Sequence, residues 1–331
     1  MDATQRLPIE IAGLGAYLPE RVLTNGDFGK MVDTSDEWIV RRTGIRERHV
    51  ASDTQATSDL AVAAARAALQ AAEVQPAELD AIFVATCTPD YAFPATGCLV
   101  QAALGATNAM ACDLEAACSG FLYGLSWASG MVASGMARKV LLIGAETLSR
   151  ATDYTDRRSC ILFGDAAGAA VLQLSRNGGE VLYTELGSDG SCPDILMIPA
   201  GGSRRPASHQ TVDQRAHYMQ LQGREVFKLA VTKLTELLQR LPERAGVSLD
   251  QIALIIPHQS NVRIVNSAFE RVGLDMAKAY MNMDRVGNTS AASIPLAMTE
   301  AVQAGAIRRG DLVLLLAFGG GITWGCTLIR Y

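Results

Sequence analysis

The 331-residue chain contains no run of about 18 apolar residues, so no membrane-spanning helix is expected. It has no basic excess: 29 Lys and Arg stand against 34 Asp and Glu, a net charge of −5, which argues against a nucleic-acid groove. Its seven cysteines are odd in number and include no C-x-x-C pair, so neither a disulfide framework nor a metal site of the zinc type is expected. Histidine is scarce. His49, His209, His217 and His258 are the four available to partner a catalytic thiol. No low-complexity segment interrupts the chain, and its first residues lack a signal-type apolar stretch, so a cytoplasmic protein is expected.

What is present is alternation. The apolar runs AIFVAT (81–86) and KVLLIGA (139–145) read as strands, and SDLAVAAARAALQAAEV (58–74) reads as a helix. Alternation of this kind means an α/β fold with helices packed on a sheet. The two halves also resemble each other: LDAIFVAT (79–86) matches LDQIALII (249–256), and GMARKVLLIGA (135–145) matches GAIRRGDLVLLLAFG (305–319), with Asp80/Asp250, Ile82/Ile252 and Gly135/Gly305 all 170 apart. Long-period self-similarity predicts two copies of one unit, residues 1–175 and 176–331, meeting at the polar turn SRNGGE (175–180). Residues 188–217 read as a long irregular surface loop or lid.

In DLEAACSGFLYGL (113–125), a strand end is followed by Cys118 and then by a small, apolar helix. A cysteine here is either a small buried hydrophobe or a thiolate favoured by the helix N-terminus. The 170 offset carries Cys118 onto Asn288 in DRVGNTSAASIP, another loop entering a small-residue helix. His258 follows the run ALIIP at a strand end, and strand ends in parallel sheets face the ligand crevice. Taken singly, His258 is a satisfied polar residue and Asn288 a helix cap; their convergence on Cys118 is what points to catalysis. GLGAYL (13–18) lacks the third glycine and the strand–helix context of a dinucleotide site.

The motifs DTSDEWIVRRTGIRERH (33–49), ACSGF (117–121), PHQSN (257–261), GNTSAASIP (287–295) and FGGGITWG (318–325) together resemble the β-ketoacyl-[acyl-carrier-protein] synthase III family of the thiolase superfamily. The resemblance implies a thiolase-like five-layered αβαβα fold of two duplicated halves. It implies decarboxylative condensation of an acyl-CoA primer with malonyl-acyl carrier protein, which initiates fatty acid synthesis. It puts the catalytic roles on Cys118, His258 and Asn288, and the oxyanion hole on the backbone N–H groups of Cys118 and Gly320. CoA contacts fall on Thr34, Trp38, Arg42, Arg157, Asn261 and Arg263. Phe93 and Phe227 are assigned to the acyl pocket, with Phe93 reaching across a homodimer interface. No cofactor is implied, acyl-CoA being a substrate, and no metal. HQSN, GDAAGA (164–169) and Arg224 depart from the family's usual residues.

The chemistry discriminates among relatives. Decarboxylation generates the carbanion itself, so His258 and Asn288 need only donate hydrogen bonds to an enolate oxygen. A non-decarboxylating Claisen condensation needs a base such as a second cysteine or a carboxylate. The alternatives are a specialised relative that takes an unusual acyl or aroyl starter in secondary metabolism, and a non-catalytic scaffold, which has no need of these residues together.

Overall fold

The computed structural model describes residues 6–331. Its first sheet has five strands in the order Ile9–Tyr17, Ala166–Leu174, Lys139–Glu146, Ala81–Ala85 and Met110–Leu114; its second has four, in the order Leu254–Pro257, Leu312–Gly319, Thr323–Arg330 and Glu180–Ser188. The turn 175–179 separates the last strand of the first sheet from the first strand of the second. Both sheets combine a parallel core with antiparallel strands in the same sequence of pairings.

The strands are continuous apolar runs because both faces are covered. On the first sheet, Ile82, Val84, Leu141 and Ile143 pack outward against the helices Thr57–Ala72 and Thr96–Leu104, whereas Phe83 and Leu142 point inward. On the second sheet, Ile255, Leu314 and Leu316 pack outward against Gly223–Ala245 and Val262–Val272, and Ile256, Val313 and Leu315 point inward. The two inward faces enclose the helices Gly120–Ala133 and Ser293–Gln303 through Phe121, Leu125, Ile294 and Met298. Outer helices, sheet, central helices, sheet and outer helices make the five-layered αβαβα arrangement. Gly15, in the stretch GLGAYL, lies on the edge strand Ile9–Tyr17 under the outer helix Thr57–Ala72. A Cβ there would sit 2.3 Å from the backbone of Ala64 and Ala68, so glycine is what lets the helix rest on the strand.

The duplication is real, but its register is not the uniform 170 expected. Ala81 pairs with Val140 and Leu254 with Val313, and both Leu254 minus Ala81 and Val313 minus Val140 are 173. Ala117 and Ser290, also 173 apart, share an unusual left-handed backbone, with φ of 46° and 48°. The 170 offset holds at the helix ends, where Gly135 and Gly305 have φ of 76° and 70°. The reason is local: Gly120–Ala133 has 14 residues and Ser293–Gln303 has 11, and the loop after the shorter helix makes up the difference. Cys118 is therefore equivalent to Ala291, and Asn288 lies just before the equivalent turn. The second sheet also lacks a counterpart of Met110–Leu114; a single bridge between Ile255 and Ala279 stands in its place.

Residues 188–217 are less irregular than expected. They carry the short strand Leu196–Met197, paired with Gln220–Leu221, and the helix His209–Asp213.

Candidate active site

Cys118 sits in a 3-10 turn, Ala117–Ser119, that leads into the central helix Gly120–Ala133. It is buried and free, as are Cys160 and Cys326. Burial pushes its thiol up to about 12; the Ser290 hydroxyl and its own backbone N–H pull the other way, and the Glu146 and Glu115 carboxyls add to the rise. Of the two readings of this cysteine, burial favours the neutral thiol at rest. A helix N-terminus stabilises an anion by about 0.3–1 kcal/mol and at most ~2, whereas removing an anion from water costs several.

His258 follows the strand Leu254–Pro257 and is also buried. Its Nδ1 is 2.6 Å from the Ser293 hydroxyl, the first residue of the second central helix. Burial depresses the imidazole to about 3, so the ring is neutral. Nε2 has no protein partner among the described residues, so the tautomer in which Ser293 donates to Nδ1 leaves an Nε2–H free to donate to a substrate.

Asn288 is held on both sides by the first half of the chain. Its N–H donates to Leu162 O at 2.8 Å, and its carbonyl accepts from Gly164 N at 3.0 Å. Its side-chain oxygen accepts from Ser290 N at 2.9 Å, which directs the amide nitrogen away from that turn.

Cys118, His258, Gly319 and Gly320 line one narrow cavity of 60 Å³ with Leu196, Val226, Ala230, Leu234, Ser260, Ile264 and Phe318. Gly319 brings the strand end onto the nucleophile: a Cβ there would lie 2.8 Å from Cys118 N and 3.0 Å from Ser119 N. Gly320 follows it on the cavity wall, beside Leu196.

The outer rim is cationic and aromatic. Trp38, Arg41, Arg42 and Arg263 enclose a second space of 290 Å³. The Arg157 guanidinium lies 4.8 Å from the Trp38 ring centroid and that of Arg42 lies at 5.8 Å. Arg157 also meets Asp33 at 3.3 Å. The Thr34 hydroxyl is buried without a hydrogen-bond partner among the described residues. Asn261 caps the helix Val262–Val272, accepting from Arg263 N at 2.9 Å and donating to Arg42 O at 3.2 Å, so it ties the two arginine-bearing segments together. Ser260 and Ile264 face the inner cavity while Arg263 faces the rim, which makes the two spaces neighbours.

The two phenylalanines fall outside the cavity. Phe227 does not line it; its ring lies 5.6 Å below the Arg263 guanidinium, and Val226 and Ala230 form the wall instead. Phe93 is 87% exposed, which rules out an ordinary core position. Val226, Ala230 and Leu234, absent from the expectations above, repeat every four residues along one helix face, a signal present in the sequence. Ser293 gave no such signal, lying in a small-residue motif whose members are individually unremarked. Among the described residues, no group of three or more His, Cys, Asp or Glu is placed to hold a metal ion, and no helix is long and apolar enough to cross a membrane.

The chain is similar to known proteins over nearly its whole length. The family profile for 3-oxoacyl-[acyl-carrier-protein] synthase III matches residues 112–190, and the profile for its C-terminal part matches 243–331. The β-ketoacyl-[acyl-carrier-protein] synthase III of Caldanaerobacter subterraneus is 50% identical over 99% of each chain. That of Symbiobacterium thermophilum is 51% identical over 98% of each. The crystal structure of 3-oxoacyl-[acyl-carrier-protein] synthase III from Aquifex aeolicus superposes with a TM-score of 0.90 at 46% identity, covering 98% of this chain and 100% of that one. A priming β-ketosynthase from a polyketide biosynthetic pathway superposes at 0.89 with 33% identity, covering 98% and 96%. With its layers, its cysteine at a central helix mouth and its full-length identity all in agreement, the chain belongs to the β-ketoacyl-[acyl-carrier-protein] synthase III family of condensing enzymes.

Proposed function

We propose that the protein initiates fatty acid synthesis by condensing an acyl-CoA primer with malonyl-acyl carrier protein. The observation that carries this reading is the single narrow cavity shared by Cys118, His258 and Gly320, opening beside a rim of Trp38, Arg42 and Arg263. A CoA thioester fits this layout by parts. Trp38 and Arg157, in contact with each other here, part to take the adenine between them, Arg42 and Arg263 meet the phosphates, Thr34 and Asn261 border the entrance, and the apolar wall of Val226, Ala230 and Leu234 takes the pantetheine arm. No resident cofactor or metal enters the reaction.

In the first half-reaction Cys118 attacks the thioester carbonyl, the backbone N–H groups of Cys118 and Gly320 receive the oxyanion, and the carbon–sulfur bond to CoA then breaks, CoA leaving as a thiol with the proton lost by Cys118. In the second, the malonyl thioester loses CO₂. The enolate oxygen accepts hydrogen bonds from His258 Nε2–H and from the Asn288 amide. A neutral imidazole suits this role, because it donates a hydrogen bond without having to be reprotonated. The enolate carbon then attacks the acyl carbonyl on Cys118, the carbon–sulfur bond breaks and Cys118 is released as a thiol after protonation, leaving a β-ketoacyl-acyl carrier protein.

We place the enzyme in the cytoplasm as a homodimer. The first sheet ends in the edge strand Met110–Leu114, and Tyr91, Phe93 and Met110 are exposed hydrophobics. An acyl pocket completed by a partner's Phe93 accounts for that exposure. Identity near 50% to initiating synthases, against 33% to the polyketide priming enzyme, favours the housekeeping reading over the specialised starter.

The test offers the purified protein a panel of primers from acetyl-CoA to long acyl-CoAs together with malonyl-acyl carrier protein. CO₂ and the β-ketoacyl product should form, and intact-mass and peptide mapping should place the acyl group on Cys118. Acyl label on Cys112 or Cys160, or retention of acylation by Cys118→Ser, contradicts the reading.

A further inference from the structure

The two half-reactions leave one buried ionisable group unused. Glu146, at the end of the central strand Lys139–Glu146, is fully buried and forms no ion pair among the described residues. Its carboxyl is surrounded by donors. Thr88 Oγ1 donates at 2.6 Å, Thr86 Oγ1 at 3.2 Å, Cys87 N at 3.2 Å and the Cys87 thiol at 3.2 Å. The two threonine hydroxyls are not free to turn round. Thr88 Oγ1 already accepts from Thr147 N at 2.9 Å, and Thr86 Oγ1 from Thr88 N at 3.1 Å. Their protons are therefore directed at Glu146, and the site is built for a carboxylate, not for a carboxylic acid. A buried carboxylate without a counter-cation is costly and calls for a reason beyond stability.

The reason lies in what it faces. The strand carrying Glu146 packs on the turn Ser290–Ala292, which in turn packs on the turn Ala117–Ser119. The Ser290 hydroxyl stands beside both the Cys118 thiol and the Glu146 carboxyl, favouring the charged form of each, and lies 3.8 Å from Cys87 Sγ. Ser290 is held there in a left-handed backbone, φ 48°. Ser290 thus stands between the nucleophile and the buried carboxyl.

We propose that Glu146 is a positioning residue for Cys118 that acts through Ser290, orienting the thiol and holding its proton while the acyl group is transferred. The inference rests on the acyl-transfer reading above. As Cys118 Sγ bonds to the acyl carbon, its proton passes to Ser290 Oγ and the Ser290 proton passes to a Glu146 oxygen. As the carbon–sulfur bond of the donor thioester breaks, its electron pair goes to the leaving sulfur. The proton returns from Glu146 through Ser290 to that sulfur, which departs as a thiol, and Glu146 is again a carboxylate. Neither an external base nor His258 is needed, which suits an imidazole held neutral for the enolate. Burial raises the Glu146 carboxyl above its ordinary value, in the direction that makes it a better acceptor.

The test measures the two half-reactions separately in the full-length protein, with the S-acetyl and S-malonyl thioesters of N-acetylcysteamine, which lack the CoA nucleotide, alongside acetyl-CoA. In Glu146→Gln, acylation of Cys118, followed by intact mass, should slow by about 10²-fold, while CO₂ release from the malonyl thioester stays within about twofold of the wild type. Ser290→Ala keeps the Cβ and the carboxyl's other donors, so it serves if the glutamine variant does not fold, and it should show the same split. The pH profile of acylation supplies a second readout. Cys87 and Cys118 face the carboxyl, and Glu115 faces Cys118; the wild type should lose acylation on an acid limb as Glu146 protonates, and the glutamine variant should lack that limb. Equal loss in both half-reactions, or unchanged acylation in both variants, overturns the proposal. A wild type acylated by the small thioester but by no acyl-CoA counts against the CoA reading and leaves this comparison intact.

Discussion

Replacing Gly319 with alanine is the smallest change that bears on the nucleophile. The new Cβ would lie 2.8 Å from Cys118 N, 3.0 Å from Ser119 N and 2.9 Å from Thr323 Oγ1. Ordinary contact begins near 3.4 Å, so the turn and the strand end must separate by about 0.6 Å. Two of the three contacts are backbone and cannot rotate away. Gly319 is not in a left-handed conformation, so the cost is steric alone. The displaced groups are the Cys118 N–H and the neighbouring Gly320, the two proposed above to receive the oxyanion. Losing one such donor costs about 3 kcal/mol of barrier, or 10²–10³ in rate. Gly319→Ala should therefore lower kcat/KM for acetyl-CoA by about 10²-fold, with KM changed little because Trp38, Arg42 and Arg263 are untouched. Steady-state kinetics on a variant whose near-UV circular dichroism matches the wild type is the assay. A kcat/KM within about threefold of wild type would refute the idea that this contact sets the oxyanion geometry.

His258→Ala and Asn288→Ala should each still form the acyl-enzyme yet fail to release CO₂ from malonyl-acyl carrier protein; absence of the acyl adduct in both, by intact mass, contradicts that division of labour. Phe93→Ala should shift kcat/KM toward longer primers, each buried methylene being worth roughly 0.8 kcal/mol, when compared at a concentration where both proteins sediment as dimers; an unchanged chain-length profile places the pocket wall elsewhere. Stability should fall on acidification because of His258: the unfolded chain takes up its proton near pH 6.5 and the folded chain only near about 3, so stability is whole above 6.5 and drains as pH drops between those values, by at most about 1.4 kcal/mol per pH unit. Denaturant midpoints against pH should show a smaller slope in this window for His258→Gln than for the wild type.

The strands and central helices were legible because burial on both faces leaves an unbroken apolar run, as in KVLLIGA, and because a helix inside the molecule must be small and apolar all round, as in FLYGLSWASG. The convergence of Cys118 and His258 was legible from their places at a helix start and a strand end. The register of the repeat was misread at Asp80 and Asp250, where a matching dipeptide hid a three-residue displacement that only strand pairing reveals. The state of the Cys118 thiol was not legible at all, since it depends on burial by segments more than 150 residues away, among them the turn at Ser290. Glu146 was equally silent. It ends an apolar strand like any surface-facing terminal residue, and only the fold encloses it. Phe227 was drawn to the cavity by its motif, yet helical geometry turns Val226 and Ala230 toward the cysteine.

The missing fifth strand of the second sheet has a consequence for stoichiometry. Two faithful copies of one unit would present two equivalent hydrogen-bonding edges, and a protomer with two such edges can pass contacts from one neighbour to the next without end. Here Met110–Leu114 supplies that edge once, and at the corresponding place a single bridge to Ala279 covers the other. In the homodimer proposed above, a contact made by the Met110–Leu114 edge with its own symmetry mate would use up both copies of that edge, and the asymmetry between the two sheets leaves no equivalent of it to pass the contact on.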